Sequence, residues 1–149
     1  MRIAIGADHA GYDLKEKVKA LLTSWGHEVV DFGTDSLESV DYPDYAIQVA
    51  ETVAEGRAER GIAVCCTGNG VSMAANKIDG VRATLALNPE MARLARAHNK
   101  SNVLTLSSKF MVESALEDIL KAWLETKFDG GRHLRRLAKI PRSGMSEKQ

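Results

Sequence analysis

Gly61-Ile62-Ala63-Val64-Cys65-Cys66-Thr67-Gly68-Asn69-Gly70 decides how the rest of the chain is read. Its first half is a short apolar run opened by glycine and reads as a strand. Its second half is a turn in which two glycines bracket Asn69, so the backbone can bend sharply and expose N–H groups where a helix begins. A strand that ends in such a turn and passes into a helix is half of a β-α-β unit, and the flanking sequence repeats the pattern. Toward the N-terminus, Ile3-Ala4-Ile5-Gly6-Ala7 is apolar on both faces, as a strand covered by helices on each side must be. Leu14, Val18, Leu21, Leu22 and Trp25 then recur at i, i+4, i+7, i+8 and i+11, one face of a helix that Gly26 stops. Glu28 to Phe32 makes a second short strand ended by Gly33, and Pro43 with Asp44 suits the first turn of a helix running through Ile47, Ala50 and Val53 to Gly56.

On the other side, a short helix is expected over Ser72–Lys77 and a strand over Val81–Ala86. Asn88-Pro89-Glu90 reads as a cap, a proline at the first helical position and an acid in the first turn. Asn102 to Leu106 is the fifth strand, and the last long helix carries Val112, Leu116, Ile119, Leu120, Trp123 and Leu124 on one face. Five strands separated by helices predict an α/β fold: a three-layer sandwich with a Rossmann-like five-stranded parallel sheet, helices on both faces and a C-terminal helical tail. Residues 1–149 read as a single domain, with 142–149 expected to form a flexible tail.

Composition narrows the function classes. Hydrophobic residues make up 44% and charged residues 27%, which excludes a disordered chain, and no apolar run approaches the length needed to span a bilayer. Lys+Arg and Asp+Glu both number 20, and this balance argues against general nucleic-acid binding, which needs an excess of positive charge. The N-terminus begins directly in a strand and lacks a signal-peptide pattern, and the two cysteines are adjacent, so no disulfide framework is expected. The expectation is a cytoplasmic protein in a reducing compartment.

Ligands of open α/β sheets bind at the carboxyl ends of the strands. Asp8-His9 after the first strand, Cys65 to Gly70 after the third and His98-Asn99 just before the fifth are assigned to those ends. A thiol at a strand end beside a helix N-terminus has its thiolate stabilised, so Cys65 is read as reactive, whereas Cys66 is read as a buried small side chain. The turn is neither a Walker A loop nor a G-x-G-x-x-G fingerprint, which leaves nucleotide binding weakly supported. Asp8 can cap the first helix or work on a ligand, and His98 can complement a helix C-terminus or work on a ligand. His9, His27, His98 and His133 show no metal-ligand spacing, so no metal is expected. Arg132, His133, Arg135 and Arg136 follow Asp129-Gly130-Gly131 in a basic stretch, which is either a solvated helix face or a ligand site. Arg132 and Arg136 share one face at i, i+4, and two guanidinium forks there suit a phosphate monoester. A neutral chain with a local arginine pair fits a small phosphorylated ligand better than a polynucleotide.

Taken together, Gly6 to Gly11, Asp41 to Ala46, Cys65 to Gly70 with Ala74-Ala75-Asn76-Lys77, His98-Asn99 with Asn102-Val103-Leu104, and Gly130 to His133 resemble the type B ribose-5-phosphate isomerase family, which includes galactose-6-phosphate isomerase subunits. The resemblance spans residues 6 to about 136 in order. It implies aldose–ketose isomerisation of a phosphorylated sugar through an enediol, without metal or organic cofactor. It implies Cys65 as the base between C1 and C2, and backbone N–H groups from Cys66 through Gly68, Asn69 and Gly70 as an anion hole. Asp8, Thr67 and His98 fall on positions tied to ring opening and proton transfer among the sugar oxygens. His9, Arg132 and Arg136 fall on phosphate-binding positions, and Tyr42 and Asn99 on positions lining the sugar. It further implies a homodimer, or a dimer of dimers, in which His98, Asn99 and the arginines act across a subunit interface from Cys65.

Two departures stand out. Cys66 occupies a place where relatives carry Gly or Ser, and Lys109 one where they often carry Arg, a point charge without the two-pronged grip. Pentose and hexose phosphates both stay open as substrates, and the alternative from another class is a non-catalytic sugar-phosphate-binding protein. A redox role for Cys65-Cys66 is weak because the C-x-x-C spacing is absent.

Overall fold

The computed structural model describes residues 1–141, so the expected tail segment 142–149 lies outside the described residues. The elements alternate as β1 (Arg2–Ala7), α1 (Tyr12–Ser24), β2 (Glu28–Asp31), α2 (Tyr42–Ala54), β3 (Arg60–Cys65), α3 (Asn69–Ala75), β4 (Ala83–Leu85), α4 (Pro89–Ala97), β5 (Val103–Ser107), α5 (Leu116–Glu125) and α6 (Arg132–Leu137). The five strands are parallel and ordered β2-β1-β3-β5-β4. The α/β expectation with helices on both faces holds.

Period-two alternation assigns the two faces. Ile3 and Ile5 of β1, Ile62 and Val64 of β3, and Leu104 and Leu106 of β5 pack with α1, α4 and α5 around the fully buried Trp123. Each large aliphatic side chain buried there contributes about 1.5–3 kcal/mol. The opposite face carries small residues: Ala4, Ala63 and Cys65 pack with α2 and α3. Gly61 belongs to this face, and a Cβ there would lie 2.6 Å from Val49 Cγ1. The small face therefore lets α2 approach the sheet closely and brings its N-terminus to the end of β3.

Several boundaries and faces differ from expectation. The helix expected over Ser72–Lys77 begins at Asn69, so Asn69 and Gly70 form its first turn. The fourth strand is limited to Ala83–Leu85 at the sheet edge. Val112 does not join the buried helix face: it is 64% exposed and precedes a single 3₁₀ turn, Glu113–Ala115, that leads into α5. In α2 the buried stripe is Ala46, Val49, Ala50 and Val53, with Ile47 only half-buried beside it.

The larger correction concerns His98 and Asn99, which are not at the carboxyl ends of the strands. A helix that follows one parallel strand returns the chain to the amino end of the next. His98 is the C-cap of α4, and the carbonyls of Asn99 and Lys100 accept hydrogen bonds from Arg82 Nε at 3.1 and 3.2 Å, where β4 and β5 begin. Val103 pairs with Gly61 and Ser107 with Cys65, so four residue steps, about 13 Å of strand, separate this edge from Cys65.

Candidate active site

Cys65 ends β3 and is 4% exposed, enclosed by Ala46, Ala63 and Val71. Its Sγ accepts a hydrogen bond from the Gly68 amide at 3.2 Å, which folds the turn back onto the thiol. That bend needs Gly68 in the left-handed region at φ 80°, with a hypothetical Cβ only 2.5 Å from Leu85 Cδ1. Asn69 N donates to Thr67 Oγ1 at 3.2 Å, so two amides of the expected anion hole already hold the turn together. Cys66 is exposed, not the buried small side chain expected, because the chain leaves the sheet immediately after Cys65.

The turn is fixed from behind by hydroxyls that the sequence reading missed. Ser107 Oγ donates to Cys66 O at 2.7 Å and accepts from Phe110 N at 2.9 Å. The amides of Ser108 and Lys109 donate to Cys65 O and Cys66 O, both at 3.0 Å. Ser72 Oγ donates to Gly68 O at 2.7 Å and lies 2.5 Å from Thr105 Oγ1. The available signal was Thr105 and Ser107, two fully buried hydroxyls in an otherwise apolar strand.

Asp8 follows β1 and is 6% exposed; its amide donates to Val64 O at 3.3 Å, which ties it to the end of β3. One carboxylate oxygen accepts from Gly11 N at 3.1 Å, so Asp8 caps the short turn His9–Gly11. His9 Nδ1 accepts from Val40 N at 3.1 Å, an arrangement that places the ring proton on Nε2 when the imidazole is neutral. Tyr42 opens α2 with its ring against Gly70, where a Cβ would meet the ring at 2.6 Å. Asp8, His9, Tyr42, Cys65, Cys66, Thr67, Gly68, Asn69 and Gly70 thus gather at one edge of the sheet.

His98, Asn99, Arg132 and Arg136 gather at the other. The Asp129 amide donates to Ala97 O at 2.9 Å, docking the approach to α6 on the end of α4, and the His98 and His133 rings stack at 4.4 Å with 16° between their planes. Arg132 and Arg136 are exposed on α6. The His133 imidazole titrates below its usual range through loss of solvation, with the positive charge of His98, Arg132 and Arg136 acting in the same direction and Asp129 opposing. The ligating atoms of His98, Asp129 and His133 all lie within 4.8 Å of one another, a grouping that spacing along the chain did not reveal because the docking of α6 on α4 creates it.

No helix among the described residues is long and apolar enough to cross a membrane. The family model described as Ribose/Galactose Isomerase matches residues 3–140. Ribose-5-phosphate isomerase B of Escherichia coli (strain K12) is 45% identical over 139 residues, covering 93% of each chain. A ribose 5-phosphate isomerase from Thermotoga maritima superposes with a TM-score of 0.91 at 51% identity, over 93% of this chain and 96% of that one. Ribose-5-phosphate isomerase B from Mycoplasma genitalium, solved with ribulose-5-phosphate bound, gives a TM-score of 0.89 at 42% identity over 93% of both chains. Sheet order, the thiol-bearing turn and these matches lead to one assignment: the chain belongs to the ribose/galactose isomerase family.

Proposed function

We propose that residues 1–149 act as one sugar-phosphate isomerase domain that interconverts ribose 5-phosphate and ribulose 5-phosphate through an enediolate, with Cys65 as the base. The observation that carries this reading is the Cys65 sulfur, enclosed at the end of β3 and held by the Gly68 amide beside buried Asp8. Its Mycoplasma genitalium relative binds ribulose-5-phosphate, which supports a five-carbon substrate.

A cyclic sugar has no free carbonyl, so the ring opens first, with Asp8, Thr67 and His98 moving protons among its oxygens. The thiolate then takes the proton from C2 of the aldose, the electrons pass to the carbonyl oxygen, and the enediolate forms. The same sulfur returns the proton to C1 while a proton moves from the C2 oxygen to the C1 oxygen, which yields the ketose. Backbone N–H groups of the turn from Cys66 to Gly70 stabilise the developing oxyanion, those of Gly68 and Asn69 exchanging their bonds to Cys65 Sγ and Thr67 Oγ1 for it, a contribution on the order of 3–4 kcal/mol per aimed donor. His9, Arg132 and Arg136 hold the phosphate, and Tyr42 and Asn99 line the sugar.

Cys65 and His98 sit at opposite edges of one sheet, and one protomer cannot bring them together. We therefore propose a homodimer, or a dimer of dimers, in which His98, Asn99, Arg132 and Arg136 of one protomer complete the Cys65 site of its partner. The reaction is proposed to run in the cytoplasm on the chain's own side chains without a metal. The deciding experiment is steady-state ketose formation from ribose 5-phosphate with chelator present, run beside Cys65→Ala. Turnover that survives chelator and disappears in a folded Cys65→Ala protein is the expected result. Native turnover by Cys65→Ala refutes the mechanism, and absence of turnover by the native chain with five- and six-carbon phosphates refutes the reaction.

A further inference from the structure

We propose that His98, Asp129 and His133 form a binding site for a divalent transition-metal ion, with Zn²⁺ the best match, and that its occupation inhibits the enzyme. Two imidazoles and one carboxylate are the donor set that a borderline ion such as Zn²⁺ takes in three-ligand sites, leaving a fourth position for water. Their ligating atoms already lie within 4.8 Å of one another. A tetrahedral ion with ligands at 2.0–2.2 Å needs those atoms about 3.4 Å apart, so no pair has to close by more than about 1.4 Å.

The backbone holds the ligands in place for that closure. The His98 amide donates to Leu94 O at 2.9 Å at the end of α4. The Asp129 amide donates to Ala97 O at 2.9 Å, so the carboxylate leaves the chain beside the His98 cap. The His133 amide donates to Gly130 O at 3.1 Å in the first turn of α6. The adjustment left to the side chains is rotation. The imidazoles are stacked with 16° between their planes, and an in-plane lone pair from each reaches one ion only after a ring turns about χ2. Both rings are half-buried and Asp129 is exposed, so such a turn meets little packing.

The inhibitory consequence rests on the proposed function, in which His98 serves ring opening. An imidazole nitrogen bonded to an ion neither takes nor gives a proton, and Arg132 and Arg136 flank the same site. Metal binding itself does not depend on that reading, and the two are measured separately.

The test titrates Zn²⁺ calorimetrically into the Cys65→Ala/Cys66→Ala chain, which removes thiols as competing ligands, and repeats it with His133→Ala added. One Zn²⁺ per chain is expected, weakened about 100-fold by His133→Ala, since even the loss of an outer-shell partner costs about 10–100-fold. Circular dichroism confirms that the variants are folded, and Asp129→Ala in the same background serves as a second ligand deletion. With native cysteines, Zn²⁺ is expected to inhibit isomerisation reversibly, and Asp129→Ala is expected to keep turnover and lose that inhibition. Absence of saturable Zn²⁺ binding, or binding indifferent to both deletions, overturns the site. Equal inhibition of Asp129→Ala overturns its inhibitory role. A chain that binds Zn²⁺ but turns over no sugar phosphate overturns the proposed function and leaves the site standing.

Discussion

Gly68→Ala tests whether the turn after β3 is shaped by its surroundings as tightly as the geometry implies. Two costs add at this position. A left-handed backbone at φ 80° costs an L residue about 1–2 kcal/mol, part of which Ala regains through a less flexible unfolded chain. The new Cβ lies 2.5 Å from Leu85 Cδ1 and 3.3 Å from the Leu106 carbonyl carbon and oxygen, against an ordinary carbon contact of about 3.5–4.0 Å. The Leu85 methyl can swing away, but the β5 backbone cannot, so overpacking adds about 1–3 kcal/mol. The total is about 2–4 kcal/mol, and Tm falls by about 6–12 °C in a domain of this size. Gly80→Ala isolates the first cost, because φ there is +83° and nothing lies within 4 Å of the added carbon. Displacing Gly68 also moves the amide that holds Cys65 Sγ, and kcat/KM falls about 10- to 100-fold at a temperature where the variant is folded. Thermal unfolding of both variants, with kinetics on ribose 5-phosphate, checks the reasoning. Equal Tm losses for the two would refute the clash, and a destabilised Gly68→Ala with native kinetics would refute the link between the turn and the thiol.

The buried Lys15 Nζ contacts Asp31 at 2.8 and 2.9 Å, so Asp31→Asn leaves an under-compensated buried cation and costs about 3 kcal/mol in urea unfolding, the low end for such pairs because Glu16 stays at 3.0 Å. Burial alone would raise the Asp31 carboxyl, but hydrogen bonds from Lys15, the Gly33 amide and Lys19 hold it below its usual range; its stabilisation is complete above about pH 4, is lost as pH falls through the folded value, and that acid-side loss is reduced in Asp31→Asn. Arg132→Ala and Arg136→Ala are each expected to raise KM for ribose 5-phosphate at least about 10-fold with little change in Tm, because both side chains are exposed and a charged hydrogen bond to phosphate is worth about 1.5–3 kcal/mol. Inactive Cys65→Ala and His98→Asn chains, mixed and refolded together, are expected to regain about a quarter of native activity, since half of randomly paired dimers are mixed and each holds one intact site of two; no recovery would refute the shared site.

The centre of the sheet was legible because β1, β3 and β5 are short, largely apolar runs, and a strand buried on both faces reads that way. Asn88 was equally legible: its side chain accepts from Met91 N at 2.9 Å, the local interaction its position ahead of Pro89 announces. Lys15 was not legible. It sits within the polar pattern of α1, yet it is fully buried because Asp31, at the end of β2, accepts its charge. At the candidate site, Cys65 and its glycine turn stand next to one another in sequence, so residue type and spacing identify them. Thr105 and Ser107 support that turn from β5, and only the register of β3 with β5 brings them to it, whereas Ser72 reaches Gly68 O from the helix the turn itself opens. The placement of His98 failed for a related reason: the rule about strand ends was applied to a segment that precedes its strand.

That misplacement carries the argument about assembly furthest. A two-fold interface is isologous, so if the carboxyl edge of one sheet meets the amino edge of its partner, the reverse contact follows by symmetry. One interface then completes two sites at once, each with the thiol turn from one protomer and the His98 edge from the other. The small-residue face of the sheet fits this arrangement, because it lets α2 approach closely and sets Tyr42 against Gly70 at the rim of the thiol turn. Substrate phosphate held by Arg132 and Arg136 would lie on the protomer opposite the reacting carbons, so ligand binding and dimerisation become linked equilibria. Affinity for the sugar phosphate would then strengthen with protein concentration across the range where dimers form, a dependence that a site built wholly within one protomer would not show.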